Sequence, residues 1–235
     1  MNEKLKEIIE KSNNIVLFSG AGISVASGIP DFRSPNGLYN DKRFEGYEPE
    51  EIISHHFFMD NPELFYRFYK SRMIFKDAKP NLAHKFFAEL EQSGKLIGII
   101  TQNIDGLHYV AGNKKIFELH GTIQKNYCTK CHKFFDLDTI INSKGLPKCD
   151  NCGGLIKPDV VLYEEPLNTE IVYGAYECLE KADCLITVGT SLLVSPANNI
   201  FLDFNKTRVI INKTPTQFDY LADLVIHDDI IRAIS

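Results

Sequence analysis

The chain has 235 residues, 44% hydrophobic and 24% charged, an ordinary globular composition that can build a core without disulfide staples. Its length suits a main domain of roughly 180–190 residues carrying a small insert. A net charge of −5 gives no global basic field for nucleic acid or anionic lipid, and the apolar runs fall well short of the ~20 residues that span a bilayer, so no membrane association and no specific nucleic-acid binding are expected.

In chain order, Met1–Lys11 (MNEKLKEIIEK) is amphipathic and mostly charged, unlike a secretory signal. Ile15–Ser19 is the first strand. Asn61-Pro62-Glu63 supplies an N-cap, a first-turn proline and an acid, starting a helix that runs to about Phe75 within a helical insert around residues 36–80. Pro80–Gln92 repeats the signal, with Gly94 as its stop. Leu96–Thr101, Lys115–Glu118, Val160–Tyr163, Cys184–Val188, Arg208–Asn212 and Leu224–Ile226 are further strands, Thr169–Lys181 is a third clear helix, and another helix begins near Ser195. Short apolar strands separated by helices predict an α/β fold, a Rossmann-like parallel sheet with helices on both faces. The pattern fades over Gly121–Lys157, where Cys, Lys, Gly and Pro dominate. Residues 1–120 and 158–235 therefore read as one domain and 121–157 as an insert in it.

The six cysteines divide into two Cys-x-x-Cys pairs, Cys128/Cys131 and Cys149/Cys152, and the isolated Cys178 and Cys184. Two such knuckles complete a thiolate tetrahedron and favour a zinc ribbon, with metal ligation in a reducing, cytoplasmic compartment over a disulfide framework. Cys131-His132 also ends a haem-attachment string, but the second pair and the lack of a secretory signal argue against haem. Four cysteines leave no open coordination position, so one structural zinc is expected. The lysines of the ribbon (Lys125, Lys130, Lys133, Lys148) are interleaved with Asp136, Asp138 and Asp150, as on a solvated surface rather than a nucleic-acid face.

After the first strand comes Gly20-Ala21-Gly22-Ile23-Ser24. Such glycines let backbone N–H groups face a pyrophosphate, but Val25 stands where the dinucleotide fingerprint has its third glycine, and a plain tight turn fits as well. Asp31-Phe32-Arg33 adds an acid, a ring that could cover a heterocycle and a guanidinium suited to phosphate or ribose. Other strand ends offer Gln102-Asn103-Ile104-Asp105, His120-Gly121 and Gly189-Thr190-Ser191. Ligands of open parallel sheets gather at such ends. Each residue has a structural reading too: Asp105 could cap the next helix, Thr190 and Ser191 the helix near Ser195, and His120 the entry to the ribbon. Gly189-Thr190-Ser191-Leu192 lacks the nucleophile-elbow frame, which argues against a serine hydrolase.

Taken together, GAGIS with GIPDFRS (Gly20–Ser34), TQNIDGLH (Thr101–His108), ELHG (Glu118–Gly121), the cysteine pairs, KPDVVLYEE (Lys157–Glu165), GTSLLVSP (Gly189–Pro196) and INKTPT (Ile211–Thr216) resemble, in content and order, the sirtuins, in a minimal bacterial or archaeal form. The resemblance implies an NAD-dependent protein-lysine deacylase acting on acyl-lysine proteins or peptides, a monomer, with nicotinamide, O-acetyl-ADP-ribose and free lysine as products. It further implies that His120 is the general base, helped by Asn103 and Asp105. Gly20, Ala21, Gly22, Phe32, Arg33, Gln102, Ile104, Gly189, Thr190, Ser191, Asn212 and Ile230 would complete the NAD site. Val161, Leu162, Tyr163 and Val194 would bind the peptide, the 160–163 segment by strand addition. Cys128, Cys131, Cys149 and Cys152 would hold the zinc.

The chain departs from that family's pattern in three places. Val25 replaces a small hydroxyl residue, and Leu162-Tyr163-Glu164 stands where the strand usually ends in Phe-Phe-Gly. Members that prefer succinyl or malonyl groups carry a Tyr-x-x-Arg pair, and ungapped alignment places Tyr66 and Tyr69 there. The shifted pair Tyr69-x-x-Arg72 is expected to point elsewhere, which favours neutral acyl groups, acetyl first. Two rival classes are ADP-ribosyl transfer from the same pocket and a non-enzymatic NAD- or zinc-dependent interaction module.

Overall fold

Every residue of Ile15–Ser19 is buried, and this segment forms β1, an inner strand of a parallel sheet. The computed structural model describes residues 1–35, 37–40 and 43–235. The other strands are β2 (Leu96–Thr101), β3 (Ile116–Glu118), β4 (Gly121–Cys128), β5 (Phe134–Asp136), β6 (Ile156–Val160), β7 (Cys184–Val188), β8 (Thr207–Ile211) and β9 (Leu224–Ile226). Six of them form one sheet in the order β3-β2-β1-β7-β8-β9, and each neighbouring pair is parallel. The order reverses between β1 and β7, so the crevice of an open α/β sheet opens beyond their carboxyl ends.

Side chains alternate across β1, and each face acquires its own helical layer. Ile15 and Leu17 pack with α1 (Glu3–Lys11), α5 (Leu82–Gln92) and α10 (Ile230–Ile234) through Leu5, Ile9, Phe87 and Ile234. Val16 and Phe18 pack with α8 (Thr169–Lys181) and α9 (Asn199–Leu202) through Ala175, Cys178, Leu179 and Phe201. The short α6 (Leu107–Ala111) follows β2.

A third core lies outside the sheet. It joins α2 (Pro49–Ile52), α3 (His55–Asp60) and α4 (Pro62–Phe68) to the cysteine segment through Ile52, Phe58, Phe65, Ile123, Cys128, Phe135, Cys149 and Ile156. The segment's antiparallel sheet, β5-β4-β6, carries α7 (Leu137–Asn142) between β5 and β6. The helices of residues 49–68 thus share a hydrophobic core with the ribbon.

Three predicted elements change in ways that matter for the site. The helix expected to reach Phe75 ends at Phe68 and continues as one π-helical turn, Tyr69–Met73. Here Tyr69 stacks on Phe65 with ring centroids 5.5 Å apart, and Lys70 Nζ donates to the Ser143 carbonyl at 2.8 Å. Wide turns of this kind re-aim the residues that follow. Of the expected strand Val160–Tyr163, only Val160 lies in β6. Beyond it the backbone changes partner: the Tyr163 N–H donates to Ile53 O, and the His55 N–H donates to Tyr163 O, both at 3.0 Å. The helix expected from Ser195 covers only Asn199–Leu202, and its N-cap is Asn198, so neither Thr190 nor Ser191 caps it.

Candidate active site

The turns leaving β1 and β7 interlock at the sheet reversal. The Gly22 N–H donates to Gly189 O at 2.8 Å, and a Cβ on Gly22 would sit 2.6 Å from Gly189 Cα. A Cβ on Gly189 would meet Ile23 N at 2.5 Å, and its φ of +60° also favours glycine. The spacing therefore needs glycine on both sides, which leaves bare backbone at the head of a 3₁₀ helix, Ala21–Ser27. A pyrophosphate could approach that backbone closely.

These turns form one wall of a cavity of about 820 Å³. Around it lie Gly20, Ala21, Gly22, Phe32, Arg33, Gln102, Asn103, Ile104, Asp105, His120, Gly189, Thr190, Ser191, Asn212 and Ile230. Val161, Leu162, Tyr163 and Val194 line the same space. Residues expected from six strand ends and two connecting segments thus face a single cavity. The parallel register delivers the carboxyl ends of β1, β2, β3, β7, β8 and β9 to one edge.

Behind Asn103 and Asp105 runs a buried polar chain. Asp105 divides its work: Oδ1 accepts from the Leu107 N–H at 2.8 Å, at the start of α6, while Oδ2 accepts from Ser24 Oγ at 2.7 Å and Asn103 Nδ2 at 3.3 Å. Since Ser24 gives its proton to Asp105, its oxygen is the acceptor for Asn103 Nδ2 at 3.1 Å. His84 Nδ1 accepts the Asn81 N–H at 3.4 Å, which leaves a proton on Nε2, 3.5 Å from Ser24 Oγ. His108 lies edge-on to His84, ring centroids 5.0 Å apart, and its Nε2 is 3.0 Å from Ser19 Oγ. Burial first, then for His108 the neighbouring His84, lowers these imidazoles to about 4 (His84) and about 3 (His108), so both are neutral at pH 7.

His120 Nδ1 lies 3.0 Å from the Gln102 carbonyl oxygen. A carbonyl only accepts, so Nδ1 carries the proton and Nε2 keeps its lone pair. Burial lowers the pKa of His120, against the opposing effect of that hydrogen bond, and the ring is a neutral base near neutral pH. Gln102 is itself held by a 3.0 Å bond from Nε2 to Thr190 Oγ1, which links β2 to the β7 turn.

The four predicted thiols also meet. Their sulfurs lie within 4.8 Å of one another, with Cys128–Cys152 at 3.4 Å and Cys131–Cys149 at 3.6 Å. Tetrahedral zinc with bonds of ~2.3 Å needs sulfurs roughly 3.8 Å apart, so the donor set fits zinc closely. None of the four lines the cavity.

The Sir2 family profile matches residues 20–196, from the first glycine turn to the β7 turn. The chain belongs to the Sir2 family. A Clostridium perfringens (strain 13) protein named NAD-dependent protein deacetylase is 56% identical over 229 residues, which cover 97% of this Sir2 chain and 94% of that one. Among solved structures, a Sir2 variant with a deacetylated p53 peptide and 3'-O-acetyl ADP ribose matches with TM-score 0.89 and 38% identity, covering 99% of this chain and 95% of that one. A Sir2 complex with p53 peptide and NAD+ matches with TM-score 0.86 and 36% identity, covering 98% and 94%.

Some residues of this Sir2 site escape sequence reasoning. Ser24 falls inside GAGIS, but its hydroxyl bond to Asp105 spans 81 positions, and no local pattern signals it. His84 reads as an ordinary first-turn residue of α5. Tyr39 lines the cavity and reaches Tyr163 Oη at 2.8 Å. Tyr66 and Tyr69 are buried in the aromatic cluster, and Tyr66 donates to Ile156 O. Arg72, expected to point elsewhere, lies within the π turn and lines the cavity as an exposed side chain. Tyr69 does not line that wall, so the two residues do not present a joint acyl-binding pair.

Proposed function

We propose that this chain removes acetyl groups from protein lysines in an NAD-dependent reaction, producing nicotinamide, O-acetyl-ADP-ribose and free lysine. The observation that carries the reading is the tautomer of His120: a neutral ring with Nε2 unprotonated, on the wall of a cavity that also holds the glycine turns and residues 161–163. The names and ligands of the relatives above support it.

NAD, when bound, supplies a ribose carbon activated by departure of nicotinamide, which a weakly nucleophilic amide oxygen can attack. The glycine turns would receive the diphosphate, with Thr190 and Ser191 beside it and Asn212 and Ile230 toward the adenosine. Asn103 and Asp105, preset by Ser24, would hold the nicotinamide and its ribose, alongside Gln102 and Ile104. Ala21, Phe32 and Arg33 would enclose the reacting end and keep water out. His120 Nε2 would take a ribose hydroxyl proton, a service typically worth about 10²–10⁴-fold in rate.

The acyl-lysine peptide would lie between residues 161–164 and Val194. The N–H groups of Val161 and Tyr163 already donate to His120 O and Ile53 O, whereas the Val161 carbonyl and the Glu164 backbone make no hydrogen bond among the described residues and are open for pairing. Zinc, held by Cys128, Cys131, Cys149 and Cys152, would clasp the ribbon without touching substrate. The shared core supports treating residues 49–68 and the ribbon as one lobe, with the remainder as the NAD-binding domain. No helix among the described residues is long and apolar enough to cross a membrane. A reducing, cytoplasmic location agrees with the unbridged cysteines.

Mass spectrometry of an acetyl-lysine peptide incubated with the protein, with and without NAD, tests the reading. A loss of the acetyl mass only when NAD is present supports it. An intact peptide, or ADP-ribose attached to protein in place of an acetyl ester, contradicts it.

A further inference from the structure

We infer that the hydroxyl pair of Tyr39 and Tyr163 makes peptide binding and ADP-ribose binding mutually favourable, Tyr163 being a positioning residue that acts on Phe32 and Arg33 through Tyr39. The inference rests on the deacetylase reading, which puts a peptide on one side of this pair and the dinucleotide on the other.

The two phenol oxygens are 2.8 Å apart. On the Tyr39 side the connection to the cofactor wall is direct. The Tyr39 N–H donates to Phe32 O at 2.9 Å, the two rings lie 5.3 Å apart, and the Arg33 guanidinium sits 5.3 Å from the Tyr39 ring centre. The loop itself is pinned by the Leu38 N–H to Asp31 O at 2.8 Å and the Ser34 N–H to Asp31 Oδ1 at 2.9 Å. The Tyr39 ring therefore contacts both Phe32 and Arg33.

On the other side, both backbone polar groups of Tyr163 are fixed to Ile53 and His55. The residue remains 39% exposed on the wall where the peptide would settle. Burial keeps the Tyr39 hydroxyl protonated across the physiological range, so the pair always has a proton to share. A phenylalanine at 163 would fill nearly the same space without the oxygen, so the tie depends on one atom. A ligand that orders either end of the pair orders both, and the second ligand then meets a smaller entropic cost. The coupling is reciprocal by linkage.

Calorimetric titration with ADP-ribose, which lacks the leaving group and does not turn over, measures the effect with and without saturating acetyl-lysine peptide. In the wild-type protein, peptide is expected to tighten ADP-ribose binding by about two- to tenfold, the range one neutral hydrogen bond supports. That factor falls toward one in Tyr163→Phe and in Tyr39→Phe, and falls no further in the double variant, because both substitutions remove the same bond. A single variant that keeps the wild-type factor, or a double variant that loses twice what either single loses, overturns the inference. Wild-type protein that deacetylates the peptide with NAD yet shows no coupling overturns the inference alone. If it neither binds nor deacetylates the peptide, the deacetylase reading fails with it.

Discussion

Ser24→Ala removes one oxygen from the centre of the buried chain behind Asn103 and Asp105. Ser24 is fully buried, donates to Asp105 Oδ2 at 2.7 Å and accepts from Asn103 Nδ2 at 3.1 Å. Without it, Asp105 Oδ2 retains only the 3.3 Å contact from Asn103. A hydrogen bond to a charged group contributes ~1.5–3 kcal/mol, and a buried partner left unpaired carries a similar penalty, so stability should fall by about 2 kcal/mol. With a urea m-value of roughly 2 kcal/mol/M, the denaturation midpoint drops by about 1 M. The same loss frees the two groups proposed to hold the ribose. A ~10–100-fold decrease in kcat/KM for NAD follows, equivalent to ~1.4–2.8 kcal/mol of transition-state stabilisation. The KM for peptide should change little, because Ser24 lies behind the residues proposed to hold the dinucleotide. Urea titration followed by fluorescence, together with steady-state kinetics in each substrate, measures all three quantities. A variant with the wild-type midpoint and wild-type kcat/KM would refute the idea that Ser24 presets Asp105 and Asn103.

Zinc removal should unfold more than the ribbon, since Cys128 and Cys149 share a core with Phe57, Phe58 and Phe65. Structural zinc contributes ~10–16 kcal/mol to modules of this kind, so a strong chelator should abolish activity and near-ultraviolet dichroism together. A zinc-free protein that is folded and active would contradict this. Acid stability should follow the buried histidines. Their folded pKa values, about 4 for His84 and about 3 for His108, lie below the unfolded value, so stability present above pH 6.5 is lost as pH falls toward 4, by ~1.4 kcal/mol per unit for each. Glu118, raised by burial to about 7, has the opposite sign between pH 7 and 4.5 and offsets one of them. The urea midpoint should therefore decline over this range in the wild type and decline less in His84→Gln; equal slopes would exclude the assignment. Acetyl-lysine peptide should be turned over faster than succinyl-lysine peptide, because Tyr69 does not join Arg72 at the cavity wall. Any residual succinyl activity should drop in Arg72→Met, and a preference for succinyl-lysine would overturn the argument.

The parallel sheet is legible in the sequence because its strands are buried on both faces and read as largely apolar runs such as IVLFS and CLITV. The cysteine tetrahedron is legible because two local spacings specify it. The strand-end residues are legible collectively, since a parallel sheet sends all its carboxyl ends to one edge. What stays hidden depends on long-range contact or local geometry. Ser24 meets Asp105, and Tyr39 meets Tyr163, across 81 and 124 positions, separations that leave no periodic trace. The π turn at Tyr69–Met73 is accompanied by long-range contacts of Tyr69 with Phe65 and of Lys70 with Ser143, and Arg72 within it lines the cavity, none of which a helical period signals. The stretch after Val160 has strand-like composition, but only Val161 still bonds beside the ribbon, to His120 O, and Tyr163 turns to Ile53 and His55, a change of partner that composition does not signal.

His120 carries the central claim, and its lone pair at Nε2 is the feature to remove. The most direct measurement compares wild type with His120→Ala on an acetyl-lysine peptide with NAD, following free peptide and O-acetyl-ADP-ribose by mass spectrometry. Wild type should form both in equal amounts. His120→Ala should keep its zinc and its fold while turnover falls by about 10²–10⁴-fold, the range of general-base catalysis. Near-normal turnover in that variant would contradict the account.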